Sequence, residues 1–188
     1  MPAITDTLSD IDIWLADNAP VDWGNLFPPA GGRDIAQAEA TLGRALPAEF
    51  RALYEWHDGS PATPARCVEL LPGWPFLSLA DSASHWAQRN KLYEADLDET
   101  GACFWWRTSW LPLAYDFTGD MLVAEISPEA TNFGAVFHAS LENGPRFFEG
   151  WPTLEAALDD VADTLAADDP QPLRGLTPVV DAGRLTWR

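Results

Sequence analysis

The sequence predicts an α+β protein in which an antiparallel, partly mixed sheet packs against flanking helices. Three features lead to this prediction. Apolar residues recur with helical spacing in the first half of the chain, short aromatic-rich segments separated by turns occupy residues 102–148, and a further helical segment follows. Strands joined in succession by short turns pair antiparallel, and helices before and after such a sheet are typical of α+β folds.

The clearest helical signal is a pair of short helices within residues 35–59. In the first, Ile35, Ala38 and Leu42 share a face, and Gly43 follows where a helix can end in the left-handed conformation. Proline suits a first helical turn, which predicts that the second helix begins at Pro47. The residues that recur at helical spacing in the second helix are Phe50, Leu53, Tyr54 and His57.

Three further helices are predicted from the same periodicity. They are Asp6–Asn18, Leu79–Glu94 and Thr153–Ala167. In the middle one we expect Trp86 and Leu92 to face inward, and we expect an acidic bend over residues 96–101 to follow it. Thr153 is expected to cap the last helix, since a threonine hydroxyl can accept a hydrogen bond from an otherwise unpaired amide of the first turn.

Strands are predicted where aromatic and β-branched residues cluster between turns. The predicted strands are Cys67–Leu71, Ala102–Trp106, Trp110–Tyr115, Met121–Ile126, Gly134–Ala139 and Arg146–Phe148. A turn over residues 116–120, which contains Gly119, is expected to join two of them.

A chain of 188 residues suits one domain. We predict an N-terminal helix and loop extension at 1–32, a domain at 33–169 and a proline-containing C-terminal tail at 170–188. The tail either packs as extended chain or stays mobile.

The formal charge of -18 is the strongest compositional signal. No basic residue precedes Arg33, although several aspartates do. Such a surface repels nucleic acid and anionic lipid and attracts cationic partners, so we expect neither a nucleic-acid nor a membrane partner. The alternative interpretation is that the negative charge only makes the protein highly soluble.

The sequence predicts a cytoplasmic protein. It has neither a secretory signal nor a long apolar run. Cys67 and Cys103 show no metal-ligand spacing and are expected to be reduced.

The candidates for chemistry are few. Asp116, Asp120 and Glu125 are either a metal or acid–base cluster or, as we favour, carboxylates that satisfy backbone amides around a hairpin turn. Cys103 with His138 is a formal nucleophile–base pair that nothing local supports. We therefore predict no catalytic residue, no metal site and no cofactor.

Ten tryptophans make protein binding the better prediction. Trp105 and Trp106 are adjacent, so on a strand they point to opposite faces and one of them faces away from the core. Trp74 lies in a turn. Exposed tryptophan ringed by carboxylates is typical of a binding hot spot, although a sugar-stacking platform or complete burial fits the pattern too. The predicted partner-binding residues are Trp74, Trp105, Trp106, Asp116, Asp120 and Glu125.

Two motifs in order carry a family resemblance. The first, I-x-x-x-E-x-x-L-G-x-x-L-P-x-x-[FY]-R-x-L, is formed by Ile35, Glu39, Leu42, Gly43, Leu46, Pro47, Phe50, Arg51 and Leu53. The second, W-L-P-L-A-x-D-x-x-G-D-x-L, spans Trp110 to Leu122. Together with the closing helix they resemble the SUKH superfamily of Smi/Knr-like domains, over roughly residues 35–165.

The resemblance implies an α+β fold and a function in binding. Bacterial members are similar to immunity proteins that neutralise polymorphic secreted toxins by direct contact, and fungal members resemble regulators of cell-wall synthesis. No catalytic residue is implied. For this chain we expect a cognate protein toxin domain with a basic surface as partner, and a nuclease is the natural class because nuclease surfaces are basic. The alternatives are an intracellular scaffold and a metal-dependent hydrolase built on Asp116 and Asp120.

Overall fold

The computed structural model describes residues 3–101 and 103–188, without the side chains of Thr100, Phe148 and Glu149. The helices are α1 Ile4–Asn18, α2 Pro20–Trp23, α3 Gly32–Leu42, α4 Ala48–Trp56, α5 Leu79–Thr100 and α6 Leu154–Ala166. The strands are β1 Trp110–Tyr115, β2 Met121–Glu125, β3 Val136–Ser140, β4 Gly144–Trp151, β5 Pro178–Asp181 and β6 Arg184–Trp187.

The main sheet has the order β1-β2-β3-β4, and each neighbouring pair is antiparallel. The predicted α+β fold is therefore confirmed, and the strand pairs of the described residues include no parallel one. In the register, Trp110 lies opposite Glu125 and Val123 lies opposite Phe137. Because side chains opposite each other share a face, these four residues point to the same side of the sheet.

The two faces of the sheet belong to two separate apolar cores. On one face, Leu122 and Ala124 join the main core, to which α1, α3, α4 and α6 contribute their apolar sides. On the other face, Val123 packs with Trp110 and Phe137 in a second, smaller core. Helix α5 covers part of this second face. Successive residues of β2 therefore point alternately into the main core and into the second core.

The predicted helix pair is confirmed as α3 and α4. Gly43 ends α3 with φ 67°, the left-handed conformation that glycine adopts at little cost. Pro47 is the N-cap of α4 rather than part of its first turn, and His57 lies beyond the helix in extended conformation with φ -145°. Thr153 caps α6 as expected, because its hydroxyl accepts a hydrogen bond from the Ala156 amide at 3.1 Å.

Three predictions in and next to α5 were wrong. The helix continues through the expected acidic bend to Thr100, and Leu92 is 54% exposed instead of facing inward. Residues 103–106 form no strand; Ala102, where that strand was expected to begin, lies outside the described residues. The tryptophans explain this difference, since the Trp105 and Trp106 indoles donate hydrogen bonds to side chains of α5 and so hold the segment against the helix.

The C-terminal segment forms the hairpin β5–β6 and is tied to α2. The Asp22 carboxylate, fully buried, accepts hydrogen bonds from Arg184 Nε and from the Leu185 amide, each at 2.8 Å. Arg184 also donates to the carbonyls of Ala65 and Cys67. Residues 67–70 do not form the predicted strand, and Leu71 makes an isolated bridge to Trp74.

Candidate partner-binding surfaces

The turn between β1 and β2 is organised by Asp116. Its Oδ1 accepts hydrogen bonds from the amides of Thr118, Gly119 and Asp120 at 2.8, 3.0 and 3.0 Å, and its Oδ2 accepts one from the Thr118 hydroxyl at 2.6 Å. Phe117 and Gly119 adopt positive φ within this turn. The predicted role of aspartate in satisfying turn amides is confirmed for Asp116.

Asp120 connects the turn to β3. Its Oδ2 lies 2.7 Å from His138 Nε2, and its Oδ1 accepts a hydrogen bond from the Leu141 amide at 2.9 Å. Burial alone would raise the pKa of Asp120, but the Leu141 amide and His138 stabilise the carboxylate and bring its pKa below the usual value.

Glu125 lies apart from these two aspartates and is only 3% exposed. Its Oε2 accepts hydrogen bonds from the Ser109 hydroxyl at 3.0 Å and the Trp110 indole at 3.1 Å, and its Oε1 accepts one from the Ser127 amide at 2.9 Å. The three predicted carboxylates therefore do not form one rim. Among residues 3–101 and 103–188, no group of three or more His, Cys, Asp or Glu is placed to hold a metal ion.

The predicted tryptophans lie in three different environments. Trp106 is 2% exposed and its indole donates to Asn90 Oδ1, so it is not available to a partner. Trp105 is partly exposed and donates to Asp96 Oδ2 at 2.8 Å. Trp74 is also partly exposed, meets the His138 ring edge-on at 5.1 Å and lines a cavity of about 320 Å³.

The Cys103–His138 pair is excluded as a catalytic arrangement. Cys103 packs against the second core, to which Phe137 and Ala139 also belong. His138 lies between those two residues on β3 and therefore points to the opposite face of the sheet. The sheet separates the thiol from the imidazole.

A larger concave site lies on the second face of the sheet and was not predicted. Its volume is about 680 Å³, within the range of ligand pockets. It is lined by Arg107, Trp110, Glu125, Ala130, Thr131, Asn132, Ala135, Phe137, Phe147, Gly150, Trp151 and Pro152, and we call it the sheet pocket. Gly150 lets β4 approach β3 closely, because a Cβ there would lie 2.2 Å from the Val136 carbonyl oxygen.

Comparison of the sequence with models of known protein families identifies the family to which this chain belongs. The sequence model of the SMI1/KNR4 family (SUKH-1) matches residues 29–160. The chain belongs to this family. The predicted resemblance is thereby confirmed, and the family includes immunity proteins. A comparison with curated proteins found no match.

The matched part of this SMI1/KNR4 family member contains α3 to α5, the whole main sheet and the first half of α6. Helices α1 and α2 precede it, and the hairpin β5–β6 follows it. These outer elements pack on each other and on the matched part: α1 lies along α6, where the Thr7 hydroxyl donates to Asp159 Oδ1 at 2.8 Å, and β6 is held by Asp22 of α2.

Helices α1 and α6 pack on each other and carry acidic side chains, of which Asp12 lies 3.0 Å from His57 Nε2. Neither helix contains a basic residue. Their acidic residues are Asp6, Asp10, Asp12, Asp17, Glu155, Asp159, Asp160 and Asp163, and we call this surface the acidic face. Ile13 lies among them and is 58% exposed.

Among the described residues, no helix combines the length and the apolar character needed to cross a membrane.

Proposed function

We propose that this SMI1/KNR4 family member is a cytosolic immunity protein that binds one cognate toxin domain and blocks it. Family membership is the observation that carries this proposal, because the family includes proteins with that role. The function requires a specific binding surface and no catalytic group. We propose the sheet pocket and the acidic face as two such surfaces on the same chain.

The charge supports a basic partner. A chain with a formal charge of -18 attracts cations over long distances, and helices α1 and α6, which form the acidic face, contribute eight acidic residues and no lysine or arginine. Electrostatic attraction of this kind mainly raises the association rate, whereas buried aromatic and apolar contacts mainly slow dissociation. We therefore propose a basic toxin domain, of which a nuclease is one class, as the partner.

Co-expression tests the proposal. The toxin encoded beside this gene is expressed with and without the chain, and the complex is then isolated by size-exclusion chromatography. We expect cells to survive only with the chain present and the two proteins to elute together. Continued toxicity without a complex would refute the proposal, and many weak partners without an adjacent toxin would instead indicate the scaffold alternative.

Association kinetics test the role of the acidic face. Neutralising its exposed residues Asp10, Asp17 and Asp163 to asparagine should lower the association rate about tenfold at low salt and leave dissociation nearly unchanged. The matched control neutralises three exposed acids of α5, which are Glu94, Asp98 and Glu99. Equal effects of the two triple variants would show that total charge matters and the acidic face does not.

A further inference from the structure

Glu125 is a buried carboxylate for which the described part of the chain supplies no cation. Its three hydrogen-bond donors, a hydroxyl, an indole and a backbone amide, are all neutral. Burying an ionised carboxylate is costly unless a countercharge compensates it. Asp22 shows the usual solution in the same molecule, because Arg184 lies 2.8 Å from its carboxylate.

The carboxylate of Glu125 belongs to the wall of the sheet pocket, and aromatic rings form much of the rest. The Trp110 and Phe137 ring centroids are 5.2 Å apart, those of Phe137 and Phe147 are 4.6 Å apart, and those of Trp110 and Phe147 are 6.4 Å apart. Phe147 is 49% exposed, whereas Trp110 and Phe137 are 0% and 1% exposed, so Phe147 is the ring of this cluster that an entering side chain meets first. Aromatic faces attract cations, most strongly where water is excluded.

We propose that the sheet pocket receives a lysine or arginine side chain of a partner protein. The aliphatic part of that side chain would lie along the aromatic rings, and its cationic group would supply the countercharge that Glu125 lacks. Long basic side chains suit such a site because they combine an apolar stem with a charged end. That the donor is a toxin rests on the proposed function, whereas the preference for a cation does not.

Among the described residues that line the sheet pocket, Arg107 and Glu125 are the charged ones. Removal of the Arg107 charge therefore tests whether the ligand is a cation or an anion. Arg107 is exposed, so solvent screens its repulsion of an entering cation more than it screens the attraction of the buried Glu125. If the ligand is a cation, removal of the Arg107 charge strengthens binding. If the ligand is an anion, the same change weakens binding.

Titration with model side chains tests the proposal on the isolated full chain. The probes are N-acetyl-lysine N-methylamide, N-acetyl-arginine N-methylamide, the neutral norleucine analogue and the anionic glutamate analogue. The readout is the NMR signal of the Trp110 indole N–H, since that group contacts Glu125 directly. We expect saturable shifts from the two cationic probes, and at least about tenfold weaker binding of the other two.

Three variants locate the effect. Glu125→Gln should weaken binding of the lysine probe about tenfold, and Arg107→Gln should strengthen it about twofold. The matched control, Glu129→Gln, removes the same charge from an exposed residue that bonds to the Ser127 hydroxyl, and it should leave affinity unchanged within about twofold. If Glu125→Gln fails to fold, Phe147→Ala removes a half-exposed ring of the site and should weaken cation binding severalfold.

Three outcomes of the titration would overturn the proposal. Equal binding of the norleucine analogue would show that the site is merely apolar. Preference for the glutamate analogue, together with weaker binding after Arg107→Gln, would show that it is an anion site. If no probe gave a saturable shift, the sheet pocket would not be a binding site for any of these side chains. A toxin complex unaffected by Glu125→Gln would contradict the pocket while leaving the proposed function intact. Lysine binding without any toxin complex would contradict the proposed function alone.

Discussion

Two buried carboxylates of this protein have opposite surroundings. Asp22, which is 0% exposed, is neutralised within the chain by Arg184 and also accepts a hydrogen bond from the Leu185 amide. Glu125, which is 3% exposed, has neutral donors and lies in the wall of an open pocket. Carboxylates of similar burial therefore differ in their roles: the first ties chain segments together, and the second lies in the wall of a pocket where we propose that it meets a cation of a partner.

The two carboxylates also differ in where they lie relative to the family match. Asp22 joins α2 to β6, and both elements fall outside residues 29–160, whereas Glu125 lies within them. The internal ion pair thus attaches the two ends of this chain to each other, and the carboxylate without a cation belongs to the part shared with the SMI1/KNR4 family. Four experiments test this comparison, and they follow in order of decreasing expected effect.

The largest effect is expected for Arg184→Met. The change leaves the buried Asp22 carboxylate without its countercharge, and breaking a buried pair in this way typically lowers the free energy of unfolding by about 3–5 kcal/mol. Chemical denaturation measures it. Arg33→Met, at an exposed arginine, is the control and should change stability by less than about 0.5 kcal/mol. The double variant Asp22→Asn, Arg184→Met should lose less than Arg184→Met alone; an equal or greater loss would contradict the assigned pairing.

Glu125→Leu should have the next largest effect. It removes the acceptor for the Ser109 hydroxyl, the Trp110 indole and the Ser127 amide, and donors left unpaired in a buried site lower stability by about 1–3 kcal/mol. Denaturant unfolding measures the change, and tryptophan fluorescence reports rearrangement around Trp110. A variant as stable as the natural chain would show that water replaces the carboxylate easily.

Glu125→Gln should change the free energy of unfolding by less than about 1 kcal/mol, because the amide keeps an acceptor oxygen and removes an uncompensated buried charge. This variant separates charge from hydrogen bonding at the same position. A loss as large as that of Arg184→Met would show that Glu125 is neutralised within the chain after all, and the contrast with Asp22 would disappear.

The smallest effect concerns Asp120, a carboxylate whose side chain is 27% exposed and paired with His138. Its pKa is lowered in the folded state, so its contribution to stability is present above the unfolded pKa and is lost as the pH falls through the folded pKa. Asp120→Asn should therefore reduce stability slightly at about pH 6 and by less at about pH 3. Thermal unfolding at both values measures this; a difference that grew at the lower pH would have the wrong sign.

Local sequence patterns predicted the regular elements correctly where one apolar face repeats at constant spacing. This holds for α3, α4 and α6, and the strands β1, β2 and β3 follow from clusters of aromatic and β-branched residues. Alternation along β2 also places Glu125 on the face of Met121 and Val123, which is the signal that the sheet pocket offered to sequence analysis. The pattern shows on which face of the sheet Glu125 lies, but it does not show which other residues surround that side chain.

The sequence by itself determined the periodic helices, the antiparallel order of short strands, the excess of negative charge and the family. The tertiary structure alone decided where α5 ends, why residues 103–106 lie against it, and which carboxylate receives a countercharge. Those outcomes depend on contacts between distant residues, such as Asp22 with Arg184, which are 162 positions apart. A local pattern records which side of an element is apolar, whereas the burial and pairing of a single polar group are set by whatever the rest of the folded chain brings to it.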